Sequence, residues 1–215
     1  MALQQTYLSC NGELYPHYFL CCYLPRSAGR DTFSHSLLKF KLGRQPDLDG
    51  WIDCALEALA TIDIPAGTIL VRALHHDETN IPDIPVSLDV LASRLGRRLH
   101  IRYLPRLLKK LRPAPAVKTF GKPRRKEELE GLYAVDPGYA ATLQAPPPHF
   151  LILDDLLTSG STMHTIINTL TSRYPGAGFT LFTLTRAENT APPHAPAVIQ
   201  GRKYRLEKDA DWSLV

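Results

Sequence analysis

The chain has no apolar run approaching the roughly 20 residues that a bilayer span requires. Its first residues, MALQQTYLSCNGELY, carry neither a basic segment followed by an apolar stretch nor a cleavage pattern. A membrane protein or an exported one is therefore not expected, and a cytoplasmic location is. No CxxC pair occurs among the four cysteines Cys10, Cys21, Cys22 and Cys54, which argues against a structural zinc site. Cys10, Cys21 and Cys22 with His17 are irregularly spaced as metal ligands, and buried free thiols are the expectation. Neither of two common phosphate-binding patterns, GxxxxGK[ST] and GxGxxG, is present. Internal repeats and long low-complexity stretches are also missing.

What is present is the composition of one globular unit. The 215 residues, 44% hydrophobic and 21% charged, suit a single α/β domain with a sizeable core and fall short of two ordinary domains with a linker. We take 1–215 as that domain, with 1–45 as an amino-terminal extension and first helix and 186–215 as a carboxyl-terminal cover segment. The net charge of +4 is uneven. Lys109, Lys110, Arg112, Lys118, Lys122, Arg124, Arg125 and Lys126 form a run of positive charge without an acid, so the rest of the chain is net acidic. Basicity confined to one segment indicates a local anion-handling element more than a general affinity for nucleic acid.

Proline clusters at 145–148 and 191–193 punctuate the chain as loops. Leu48, Trp51, Ile52, Ala55, Leu56 and Leu59 stand at helical spacing, and Thr68 to Val71 reads as a short buried strand. Ser87 is a candidate N-cap for a helix carrying Leu88, Leu91, Ala92 and Leu95, and Leu99 to Leu104 resembles a strand. Pro113, Pro115, Gly121 and Pro123 interrupt the basic segment 109–126, which therefore predicts a long loop. A short helical stretch through Leu129, a strand at Leu132 to Val135 and an Asp136-Pro137-Gly138 turn follow. Phe150 to Leu153 predicts an apolar strand, Met163, Ile166, Ile167 and Leu170 a helix, and Phe179 to Thr185 a returning strand. Strands alternating with helices predict a mostly parallel central sheet flanked by helices, with ligands at the carboxyl ends of its strands.

Between that strand and helix lies Asp154-Asp155-Leu156-Leu157-Thr158-Ser159-Gly160-Ser161-Thr162. Small hydroxyl residues around a glycine at a helix start let backbone N–H groups, hydroxyls and the helix dipole converge on one phosphate. Two carboxylates upstream would repel a phosphate but accept hydrogen bonds from vicinal hydroxyls. Phosphate at one end and diol at the other describe a ribose 5-phosphate. The blander alternative is a capped helix after a solvated acidic turn. It weakens when the buried strand, the acidic pair and the amphipathic helix are taken together.

FLILDDLLTSGSTM, residues 150–163, resembles the phosphoribosyl pyrophosphate-binding motif of type I phosphoribosyltransferases, with Ser159 where threonine is usual. The resemblance implies the type I phosphoribosyltransferase fold. It implies that Asp154 and Asp155 bind the ribose hydroxyls as the catalytic pair, also meeting a ribose-bound Mg²⁺, and that Thr158, Ser159, Gly160, Ser161 and Thr162 wrap the 5′-phosphate. A looser resemblance to the ComF-like, competence-associated branch runs through LLKFKLG at 37–43, DVLASRLG at 89–96 and RRKEELEGLYAV at 124–135. That branch often carries a paired CxxC at its amino end, absent here. Its arginine-glycine-phenylalanine-asparagine run after the first strand is replaced by His75-His76-Asp77-Glu78-Thr79. Arg72, His75, His76 and the loop residues Arg124 and Arg125 are the candidate pyrophosphate contacts, with a solvated charge run as the alternative for the two arginines.

The implied activity is transfer of a 5-phosphoribosyl group to or from a nitrogenous base, with Mg²⁺ as cofactor and phosphoribosyl pyrophosphate or a ribose 5-phosphate-containing nucleotide as partner. A homodimer is compatible with it, and residues after Pro192, Trp212 among them, would cover the base. Two other classes stand beside it: a non-catalytic sugar-phosphate sensor, and a ComF-like DNA-uptake accessory protein acting through the basic loop, which would give salt-dependent binding to single strands.

Overall fold

The computed structural model describes residues 3–24, 31–75, 78–79, 86–112, 131–140, 143, 148–188, 197–199 and 202–204. The chain opens with strands β1 (Gln4–Cys10) and β2 (Glu13–Tyr23), then helices α1 (Thr32–Lys41) and α2 (Asp47–Leu59). Strand β3 (Ile69–Arg72), helix α3 (Ser87–Arg98) and strand β4 (Arg102–Tyr103) follow. A side ladder is formed by β5 (Leu108–Lys110) and β6 (Tyr133–Val135), succeeded by the short helix α4 (Pro137–Ala140). The last large unit is β7 (His149–Leu157), α5 (Ser161–Arg173) and β8 (Gly178–Ala187). A small antiparallel ladder of β9 (Ala197–Ile199) and β10 (Arg202–Tyr204) completes the described chain.

Six strands make the central sheet in the order β1-β2-β8-β7-β3-β4. All neighbours are parallel except β1 and β2, so the expected α/β class with a mostly parallel sheet between helices is observed. The core divides by face. Leu37, Phe40, Trp51, Ile52, Leu91 and Leu95 of α1 to α3 pack on one side with Leu70, Leu151 and Leu153. Met163, Ile166, Ile167 and Leu170 of α5 cover the other side against Val71, Phe150, Ile152 and Leu181. Leu151, Ile152 and Leu153 are all buried, as a parallel strand covered on both faces demands.

Several expectations are revised. Residues 4–23 are a hairpin in the main sheet, not an extension of it, and β2 is an interior strand. The turn is Asn11-Gly12, both with positive φ (53° and 84°), the signature of a two-residue hairpin turn. Pro16 is tolerated because β2 begins to pair with β8 only at His17, so its missing N–H breaks no bond of that ladder. Only Arg102 and Tyr103 of the expected strand 99–104 pair as a strand, with Leu99 and His100 in a turn. Lys109 and Lys110 belong to β5, not to a loop, and β6 joins β5, not the main sheet. The helical stretch expected through Leu129 lies outside the described residues. Pro137 opens a short helix where a turn was expected, and the Asp136 carboxylate accepts from Gly138 N–H at 2.9 Å. Among the described residues, no helix is long and apolar enough to cross a membrane.

Candidate functional site

Strand order sets the location. From β3 the chain crosses through α3 to β4 at one edge, and from β7 it crosses through α5 to β8 in the opposite direction. The sheet therefore reverses its winding between β3 and β7, which leaves an open crevice outside their carboxyl ends. The segment after β3 and the acidic pair of β7 meet there. A cavity of about 60 Å³ is lined by Lys41, Arg72 to His75, Ser87, Asp154 and Asp155. A larger cavity of about 770 Å³ lies at the opposite, amino-terminal strand ends, beside Gly67, Thr68, His100, Arg102 and His149. No candidate site residue lines it, and topology favours the smaller crevice.

The strand β7 is longer than the apolar run predicted, so Asp154 and Asp155 sit inside it, before Leu156 and Leu157, and not in a loop. Extended backbone points their side chains apart. Asp154 accepts the Asp155 backbone N–H at 2.8 Å, and the Asp155 carbonyl accepts Thr185 Oγ1–H at 3.1 Å, so the neighbouring strand holds the pair. The Asp155 carboxylate also receives Lys41 Nζ at 2.8 Å. Burial first, and then the Asp155 charge, push the Asp154 carboxyl up to about 7, against the opposing pull of Lys41 and Lys110. Burial acts to lower the Lys41 ammonium, but the charge and hydrogen bond of Asp155 outweigh it and leave Lys41 above its usual value.

Beyond Leu157 the chain turns through Thr158, Ser159 and Gly160 into α5, whose first residues are Ser161 and Thr162. Gly160 has φ 77°, a left-handed conformation that glycine adopts without penalty. A Cβ there would stand 2.8 Å from Leu8 Cδ1 of β1, so the amino-terminal hairpin backs the turn. Gly160 gives α5 no side-chain cap, while Ser159 Oγ accepts the Ser161 N–H at a long 3.4 Å and lies 2.8 Å from Ser161 Oγ at the helix mouth. An uncapped helix start with converging hydroxyls is an anion-binding geometry. The five residues 158–162 are thus brought together, one strand end away from the acidic pair.

On the β3 side, Arg72 is 2% exposed. Its guanidinium is bound by both carboxylate oxygens of Glu78, by Asp89 at 3.1 Å and by the Tyr103 hydroxyl at 3.0 Å. Glu78 also accepts the His75 backbone N–H at 2.8 Å. Lys110, 5% exposed, donates from Nζ to the carbonyls of Leu74 and His75 at 2.8 and 2.5 Å. Arg72 and Lys110 therefore brace the 73–75 turn from below, while His75 lines the crevice. His76, Arg124 and Arg125 lie outside the described residues.

The donor chemistry of the acidic pair does not fit a divalent cation held by the protein alone. Asp155 is taken by an ammonium, and burial and the Asp155 charge push the Asp154 carboxyl up to about 7. Among the described residues, no cluster of three metal-ligating side chains occurs. The sequence reading gave Lys41 and Glu78 no role of their own and placed Lys110 in an anion-handling loop, not beneath the 73–75 turn. The LLKFKLG segment singled out Lys41's neighbourhood but gave the side chain no role, and only folding brings Lys110 under a turn 35 residues earlier.

No family model matches the chain, and no curated protein matches it. Among solved structures the chain is similar to an adenine phosphoribosyltransferase from Leishmania tarentolae, with 13% identity, 69% of this chain and 74% of that one covered, and a TM-score of 0.40. It is also similar to the adenine phosphoribosyltransferase from Trypanosoma brucei in complex with AMP, pyrophosphate and ribose-5-phosphate, with 12% identity, 73% and 74% covered, and a TM-score of 0.40. Likenesses of this degree carry no argument about ligand or activity, which rests on the site itself.

Proposed function

We propose that the protein is a phosphoribosyltransferase that binds phosphoribosyl pyrophosphate in the crevice between β3 and β7 and transfers the 5-phosphoribosyl group to or from a nitrogenous base. The observation that carries this reading is the joining, at the winding reversal of the sheet, of an acidic pair to an uncapped, glycine-turned helix start rich in hydroxyls. Thr158 to Thr162 hold the 5′-phosphate, and Asp154 and Asp155 accept the ring hydroxyls. The 73–75 turn faces the substituent at C1, with His75 as its contact to the pyrophosphate and Arg72 holding the turn and not the ligand. Catalysis of this kind rests on fixing the sugar and the departing group in line and on excluding water. Mg²⁺ enters as the counter-ion of the ligand's own pyrophosphate. The ComF-like branch and a cytoplasmic setting belong to the same proposal.

Calorimetric titration of the full chain with ribose 5-phosphate and with phosphoribosyl pyrophosphate plus Mg²⁺ tests the binding step. Both are expected to bind, and Asp155→Asn to weaken both by at least about tenfold, the scale of a charge-assisted hydrogen bond. Binding of neither by the wild type would sink the reading. Transfer is tested by pyrophosphate release with a panel of bases. A second reading, binding without transfer, is favoured by one observation: the two described cations beneath the 73–75 turn are bonded to protein groups. Ligand binding without release for any base would select it.

A further inference from the structure

The crevice contains a cation that neither the motif nor the sugar-phosphate reading assigns. Lys41 is the last residue of α1, and its backbone is anchored by Leu37 and Phe40, both fully buried in the core. Its side chain is 37% exposed and reaches over the acidic pair to Asp155. It lines the same crevice as the 73–75 turn, so one amine faces both the carboxylates and the space in front of that turn. Arg72 is the other lysine or arginine in the described lining, and it is sealed beneath the turn by Glu78 and Asp89.

We propose that Lys41 is a ligand-contacting, specificity-determining residue: it pairs with Asp155 in the free protein and turns to the anionic group at C1 of the ribose when the ring hydroxyls take over that carboxylate. This rests on the sugar-phosphate reading of the site. A hydroxyl that donates to Asp155 competes with the ammonium for the same oxygen. An ammonium displaced from that carboxylate pairs with another anion within its reach, a charge-assisted contact that a neutral hydroxyl at C1 does not offer. Phosphoribosyl pyrophosphate carries that anion beside the diol, and ribose 5-phosphate does not. The pair therefore discriminates between ligands that share a sugar and a 5′-phosphate. Lysine suits this exchange because its flexible stem and three donors let one amine serve two acceptors in turn.

The test is calorimetry on the full chain with both ligands at one fixed Mg²⁺ concentration, comparing wild type, Lys41→Gln and Lys41→Arg. Lys41→Gln is expected to weaken phosphoribosyl pyrophosphate by about tenfold or more while changing ribose 5-phosphate by less than about threefold. Lys41→Arg should recover part of the difference, since charge is kept and geometry is not. The Lys41–Asp155 pair is partly exposed, so its loss costs little stability, and matching thermal melts check this. Were Lys41→Gln not to fold, Lys41→Arg alone would still have to weaken the pyrophosphate-bearing ligand more than the other. Equal loss for both ligands would reduce Lys41 to a support for Asp155, and no loss would remove it from the site; either overturns the assignment while leaving the sugar-phosphate reading intact. Failure of the wild type to bind either ligand would remove both.

Discussion

Replacement of Asp154 by asparagine isolates the electrostatic cost built into the acidic pair. In the folded chain the Asp154 carboxyl is pushed up from an ordinary 3.8 to about 7. Folded protein therefore takes up a proton that the unfolded chain has released between about pH 4 and pH 7. Stability from this group is complete below the unfolded value and is lost as pH rises through the folded one. About three pH units at 1.36 kcal/mol each set a ceiling near 4 kcal/mol, and sharing of charge with Asp155 and Lys41 makes about 2–3 kcal/mol the working figure. His17 acts with the opposite sign. Burial first, and then Arg186, lower its imidazole to about 4, so its contribution is present above 6.5 and lost as pH falls through about 4. A wild-type profile alone mixes the two, whereas the difference between wild type and Asp154→Asn cancels His17. Asparagine Oδ1 can still accept the Asp155 N–H, so the backbone contact survives. Urea unfolding at pH 5 and pH 8 is the assay. Asp154→Asn should gain about 1–2 kcal/mol on the wild type between pH 5 and pH 8, the part of that figure lost above pH 5. Parallel profiles for the two proteins would refute the claim that this carboxyl holds a proton in the fold.

Two further outcomes follow from the geometry. Gly160→Ala forces a Cβ into a left-handed turn and against Leu8 Cδ1. The left-handed strain should cost about 1–2 kcal/mol; Leu8 can give way, so Leu8→Ala should rescue little of that stability, and calorimetry should show weaker ribose 5-phosphate binding. A normal melt and normal affinity would show that the turn needs no glycine. Glu78→Gln removes a carboxylate from a buried arginine and should cost about 3 kcal/mol in urea unfolding, whereas Asp49→Asn, at the exposed Asp49–Arg94 pair, should cost less than about 1 kcal/mol. Equal losses would mean that Arg72 is not held as the structure shows.

What local pattern determines, the sequence determined. The helices around Trp51, Leu91 and Ile166 and the strands at Val71, Ile152 and Leu181 follow from periods of apolar residues set by the backbone itself, and the structure places them within a few residues of expectation. The run from Asp154 to Thr162 was legible too, because a phosphate turn needs glycine and hydroxyls in contiguous order. The Asn11-Gly12 turn signal stands in the sequence, but the hairpin it forms was not read there. Tertiary structure alone decided the rest. That β2 enters the middle of the sheet, that the winding reverses between β3 and β7, that Lys41 reaches the acidic pair and that Glu78 and Lys110 bond to the segment around residues 72–75 depend on which strands pair, a choice made by the summed packing of both faces. The charge states follow the same division. A sequence shows two adjacent aspartates; only burial pushes one carboxyl up to about 7, and only an ammonium 114 positions away in the chain pairs the other.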